Sequence, residues 1–260
     1  MFFSNRTRVA NWLEAIKIYL DRRQFVIFLM GFSSGLPLLL GFSTLSWWLA
    51  SENISKTLIT GLLIVATPYS FKFCWAPILD KMRLPFFTDK LGQRRGWLIF
   101  IQLCLISSII ALGASSPKEG LIYMAFMAFL VAFFSASQDI VIDAYRIEIL
   151  EEFEQGAGAA STQAGYRVGL LIAGAAPLAL SDFISWFWVY FLMAALVVIG
   201  VFATLIALEP RNNCIRKSNA SGFRASLGES IIDPFKDFYK RPGWLWVLCF
   251  ILLYKYGDAI

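Results

Sequence analysis

The chain has 260 residues, of which 58% are hydrophobic and only 16% charged, with no histidine and a formal net charge of +5. A soluble domain carries about 25% charged residues; here mean hydropathy is +0.64, and lipid is the solvent the composition implies. Imidazole catalysis and histidine-ligated metals are excluded. Cys74, Cys104 and Cys249 fall in apolar runs and Cys214 in a basic loop, without metal or redox spacing.

No nucleophile–base pair or metal cluster is visible, so an enzyme, a cofactor and a metal are not expected. Short alternating strands of a β-barrel are missing as well. The expectation is an all-α membrane protein in which several apolar runs exceed the roughly 20 residues a bilayer requires.

Residues 1–24 are polar and mixed, and the run after them is too long for a signal peptide. Trp12, Leu13, Ile16, Tyr19 and Leu20 recur at helical spacing, and Asn11 with Glu14 resembles a capping box. This predicts a helix lying on the membrane surface, with Arg22 and Arg23 at the headgroups.

The first predicted span, Phe25 to Ala50, holds Gly31-x-x-x-Gly35, Pro37 and Gly41, and places Trp47 and Trp48 at the far interface. The second, Thr57 to Leu79, holds Pro68, Tyr69, Pro77 and one charge, Lys72. That lysine either snorkels or faces a cavity. A polar loop from Asp80 to Gly96 follows. The third span, Trp97 to Ser115, reads as featureless lipid-facing packing, and Ser116 to Gly120 as a tight loop.

The fourth span, Leu121 to Tyr145, ends in Ser135-Ala-Ser-Gln-Asp-Ile-Val-Ile-Asp-Ala-Tyr-Arg146. Asp139 and Asp143, four residues apart, share one helix face. Carboxylates there cost about 2.5–3.5 kcal/mol each on insertion scales, so they should face a cavity or a partner. Gln138, Tyr145 and Arg146 add donors. An acidic loop, Arg146 to Gln155, leads to the fifth span, Gly156 to Leu180, rich in small residues and carrying Gln163, Tyr166 and Arg167. An arginine at mid-span expects a carboxylate or an anionic ligand.

The sixth span is Trp186 to Leu208. Glu209 to Arg241 is a basic linker in which Leu227, Ile231, Ile232, Phe235 and Phe238 suggest an amphipathic surface helix. A seventh run opens at Gly243, carries Lys255 and Asp258, and reads as an incomplete span. The expected organisation is therefore 1–24 N-terminal segment, 25–208 six-span bundle, 209–242 linker and 243–260 start of a seventh span.

Eighteen of the 23 Lys and Arg fall on the side of the N-terminus and only Lys56 and Lys118 on the other. This bias predicts six crossings and a cytoplasmic N-terminus. It also accounts for the net charge without nucleic acid. Six spans, a basic linker and the start of a seventh describe half of a two-halved secondary transporter, whose substrate path lies between the halves.

Several stretches carry a family resemblance: Gly31-Phe-Ser-Ser-Gly-Leu-Pro37, Pro68-Tyr-Ser-Phe-Lys-Phe-Cys-Trp-Ala-Pro-Ile-Leu-Asp80, Leu91-Gly-Gln-Arg-Arg-Gly-Trp97, Ser137 to Arg146, Gly165-Tyr-Arg-Val-Gly169 and Leu253-Tyr-Lys-Tyr-Gly-Asp258. The chain resembles muropeptide permeases of the AmpG type, within the major facilitator superfamily. The resemblance implies proton-driven import of anhydro-muropeptides across the bacterial inner membrane for cell-wall recycling. It also implies gating contacts by Asp80 and Arg94, although the superfamily's compact loop pattern is spread out here, Asp80-Lys81 standing apart from Gly92-Gln-Arg94-Arg95.

The expected roles are proton coupling or gating by Asp139, Asp143, Asp258, Asp80 and Arg94, with Asp139 the better proton carrier. Substrate binding falls to Lys72, Gln138, Tyr145, Tyr166, Arg167 and Lys255, the cations attracting peptide carboxylates and Tyr166 or Tyr256 stacking on sugar rings. The competing reading of Asp139 and Asp143 is a structural ion pair with Lys72, Arg167 or Arg146. Two other functions stay open. One is carriage of another organic anion, such as an acyl-coenzyme A or a nucleotide. The other is a half without transport of its own, a remnant or a partner of a separate C-terminal half.

Overall fold

A computed structural model describes residues 17–117, 120–210, 236–240 and 243–259. The predicted surface helices over 11–20 and 223–239 lie largely outside the described residues; Lys17 to Tyr19 are helical. Two compact units divide the chain, Met1–Arg211 and Asn212–Ile260. The second contains a 16-residue helix, Trp244–Ala259.

In the first unit six helical segments are long and apolar enough to cross a membrane: Arg22–Ser51, Lys56–Cys74, Gln93–Gly113, Leu121–Ile149, Glu152–Ser181 and Trp186–Ile206. Among the described residues there is no strand. Among the described residues the first unit is an all-α bundle of helices long enough to cross a membrane.

Asp21 caps the first span, its side chain accepting the Arg23 N–H at 3.0 Å. Pro37 lies within the helix, and a π turn, Leu40–Thr44, follows it. There the Leu40 carbonyl accepts the buried Tyr190 hydroxyl at 3.1 Å. The second span is not the single helix expected. It runs as short α and 3₁₀ pieces, with Pro68 and Pro77 each opening a new piece, and continues through Ala76–Lys81.

The third span starts at Gln93 rather than Trp97, after Gly92 turns the chain at φ 93°. It is also not lipid-facing packing. Leu98, Leu105, Ile109 and Leu112 are fully buried, as is Gln102, whose amide oxygen accepts the Thr204 hydroxyl at 3.2 Å. A featureless apolar helix gives no periodic signal to tell core from lipid; only its neighbours decide.

The first span lies at the centre, packed against the fourth, fifth and sixth. Lipid tails are as apolar as leucine, so close van der Waals fit must hold these helices together. The first and fifth spans achieve it through glycine on both sides. A side chain at Gly31 or Gly35 would run into the Thr162 or Tyr166 carbonyl, and one at Gly165 or Gly169 into the Phe28 or Phe32 carbonyl. That contact brings Ser34 of the first span beside Thr162 and Tyr166 of the fifth.

Candidate functional site

A polar cavity of about 180 Å³ opens where the first, second, fourth and fifth spans meet, lined by Ser34, Lys72, Asp139, Ile142, Asp143, Thr162, Gln163 and Tyr166. The Ser34 hydroxyl donates to Asp139 Oδ1. The glycine contact delivers Ser34 and Tyr166. The i, i+4 spacing delivers both aspartates, and the break at Lys72–Cys74 turns Lys72 toward them.

Asp143 sits at the more exposed rim, 3.3 Å from Arg146 Nη2. An inward-facing carboxyl beside an amine, in walls of hydroxyl and amide, can bind a zwitterionic or anionic group and exchange a proton.

The structure separates the other expected residues from this cavity. Gln138 is fully buried on the far side of its helix and donates to Ser33 Oγ at 3.3 Å. Tyr145 is buried at the basic end of the bundle, in a second cavity with Asp21, Arg22, Arg23, Val26, Ile206 and Leu208. Arg167 is exposed, in a shallow apolar groove with Leu39, Leu170, Leu171, Gly174 and Ala175. It does not reach Asp139, so that structural pair is absent, and neighbours on the fifth span point apart because each residue turns the helix by about 100°. Lys255, Tyr256 and Asp258 belong to the helix of the second unit, outside the residues whose side chains are described.

Asp80 and Arg94 meet in spite of the spread loop. Arg94, 8% exposed, donates from Nη1 to Asp80 Oδ1 at 2.6 Å and from Nε to both oxygens of Glu148 at 3.0 and 3.1 Å. Glu209 holds the same residue from behind, its carboxylate accepting the backbone N–H of Arg94 at 2.9 Å and of Arg95 at 3.2 Å. A side chain at Gly92 would collide with it. Burial pushes the Glu209 carboxyl above its usual range, against the pull of those N–H groups. Arg23 bridges Asp21 at 2.7 Å and Glu154 at 2.8 Å, and its backbone N–H holds the Asp21 carboxyl below its usual value.

Sequence reasoning missed Ser34, Thr162, Gln163, Glu148 and Glu209 as site residues. Ser34 and Gln163 stand inside motifs already singled out. Glu148 continues the helix of Asp143 beyond its expected end, and a longer span would have flagged it. Glu209 had no signal, since its partner is the main chain of a helix more than a hundred positions away. Among the described residues no three of Asp, Glu or Cys converge as a metal site would require.

A charged cavity inside a six-span bundle defines a multi-pass membrane protein with the build of a carrier. The chain belongs to the major facilitator superfamily, whose family model matches residues 25–256; this is a family of carriers, not of enzymes. It is similar to the anhydromuropeptide permease of Escherichia coli K12, with 40% identity over 247 residues, covering 95% of this chain and 48% of the relative. The E. coli O157:H7 protein of the same name matches equally. A Rickettsia conorii protein bearing the AmpG name is 32% identical over 249 residues, covering 95% of this chain and 60% of the relative. The chain spans about half the length of the curated relatives it matches first.

Proposed function

We propose that the complete protein is a proton-coupled secondary carrier that imports anhydro-muropeptides across the bacterial inner membrane, with its N-terminus in the cytoplasm. The observation that carries this reading is the cavity in which Lys72 and Asp139 converge beside Ser34, Thr162, Gln163 and Tyr166. Lys72 takes a peptide carboxylate. Asp139 carries the proton, and the Ser34 hydroxyl steadies its charged form. Asp143 and the Asp80–Arg94–Glu148 cluster work as gating contacts. The similarity to anhydromuropeptide permeases supplies the substrate class.

A disaccharide-peptide is several times larger than this cavity, so most of it must rest on surfaces beyond the spans described here. Arg167 supports the same view. Lipid leaves an exposed mid-span guanidinium unsolvated, and we assign it to contacts with the rest of the carrier. In this reading residues 25–208 are the first transmembrane half, 209–242 the linker and 243–260 the opening of the second half.

Uptake of a labelled anhydro-muropeptide by the complete carrier in vesicles tests the proposal. Asp139→Asn is expected to abolish accumulation driven by a pH gradient while leaving substrate counterflow measurable. Lys72→Gln is expected to raise the KM about tenfold, the cost of one charge-assisted hydrogen bond. Gradient-driven accumulation at the wild-type rate in Asp139→Asn would remove the proton role. Competition by an acyl-coenzyme A, with none by muropeptide, would move the substrate to the other organic-anion class.

A further inference from the structure

At the basic end of the bundle the arginines differ in what holds them. Asp21 and Glu154 are engaged with Arg23. Asp80 and Glu148 are engaged with Arg94. Glu209 accepts the main-chain N–H groups of Arg94 and Arg95, and burial favours its neutral form. The guanidinium group of Arg22 is left with a carbonyl partner, and that of Arg95 with two carbonyl partners and the nearby charge of Glu209. Arg95 donates to the Thr204 carbonyl at 3.1 Å and the Leu205 carbonyl at 2.8 Å. Arg22 donates to the Ile206 carbonyl at 3.1 Å. Three consecutive carbonyls at the end of the sixth span thus gather two cations within one helical turn, and each cation keeps N–H groups to spare.

Beside them lies a cavity of about 260 Å³ lined by Asp21, Arg22, Arg23, Val26, Tyr145, Ile206 and Leu208. Its apolar wall is open, with Ile206 and Leu208 each about half exposed, as is the adjacent Leu205. We infer that this end of the bundle binds an anionic membrane phospholipid, its phosphate between Arg22 and Arg95 and its acyl chains along the last turn of the sixth span. The guanidinium fork fits phosphate oxygens in pairs. A span's end is the depth at which lipid phosphates lie. A soluble anion would satisfy the cations but leave the apolar wall uncovered. A packed helix would cover the wall but bring no free backbone acceptor to the cations, because a helix in lipid bonds its own main chain.

Native mass spectrometry of the full chain in detergent tests the site, with phosphatidylglycerol, phosphatidylcholine and inorganic phosphate as separate probes. A phosphatidylglycerol adduct is expected that survives detergent exchange, with phosphatidylcholine weaker and inorganic phosphate undetected. Arg22→Gln and Arg95→Gln are each expected to lower phosphatidylglycerol affinity about fivefold, the usual effect of one basic residue at a lipid surface. Lys17→Gln, a basic neighbour outside the cavity, is expected to leave it unchanged. Arg95→Gln also uncaps a helix, so Arg22→Gln, at an exposed residue, carries the decision if the former unfolds. Equal adducts in wild type and Arg22→Gln overturn the assignment. So does an equal loss in Lys17→Gln, which means diffuse charge, or retention of inorganic phosphate, which means a free-anion site.

Discussion

Arg94 shows how much one side chain can tie together. Its fork spans Asp80 at the end of the second span and Glu148 at the end of the fourth, while its own N–H is held by Glu209. Replacing it with glutamine strands two carboxylates. Asp80 is 46% exposed at its side chain and Glu148 27%, so water relieves part of that cost. Arg94→Gln is expected to destabilise the folded chain by about 1–3 kcal/mol, measured by thermal unfolding in detergent. Arg94→Lys should recover part of the loss through charge alone; a full recovery would mean that the fork geometry is unimportant.

At this scale a charge in an apolar run was informative at Asp139 and Lys72, which line one cavity, and misleading at Arg167, which does not join them. Asp139 and Lys72 were identifiable because lipid penalises them. Which of their neighbours shared the cavity was not. Gln138 and Asp139 are adjacent in sequence, yet one faces the core and the other the cavity.

Among the helices, the contact between the first and fifth spans is the tightest constraint. Gly165→Val places a side chain where the Phe28 carbonyl already lies. It is expected to cost about 1–3 kcal/mol by overpacking and to separate Ser34 from Tyr166. Gly156→Ala, which meets nothing within 4 Å, should be neutral or slightly stabilising; similar losses in both variants would argue against the glycine contact.

The cap of the first span has a pH signature. A backbone N–H holds the Asp21 carboxyl below its ordinary 3.8. Its stabilising effect is therefore present above 3.8 and is lost as pH falls through the lower folded value. Asp21→Ala is expected to lower stability by roughly 1 kcal/mol at neutral pH, and the difference from wild type should vanish in acid unfolding curves below that point. A difference that persists in acid would mean that the cap acts without its charge. Element boundaries were legible where glycine and proline punctuate the chain. The π turn was not, because one of its carbonyls, that of Leu40, is satisfied by Tyr190, far away in sequence.

For the whole molecule, the distribution of Lys and Arg predicts the side on which each loop lies. In a cysteine-free background, Asn53→Cys is expected to react with an impermeant maleimide in spheroplasts with an exposed inner membrane. Phe86→Cys should react only after lysis. The reverse pattern would invert the proposed orientation and move Arg22 and Arg95 to the outer leaflet.

Composition and run length were enough to read six helices long and apolar enough to cross a membrane, because the bilayer acts on each segment separately and penalises polar groups by depth alone. Packing is a relation between segments, and only the tertiary structure decided it. It made the third span a core helix, put Lys72, Asp139 and Tyr166 in one cavity, and sent Arg167 and Tyr145 elsewhere. The physical reason is that helix rotation and close approach depend on which small residues face each other, and no local pattern in a uniformly apolar segment records that.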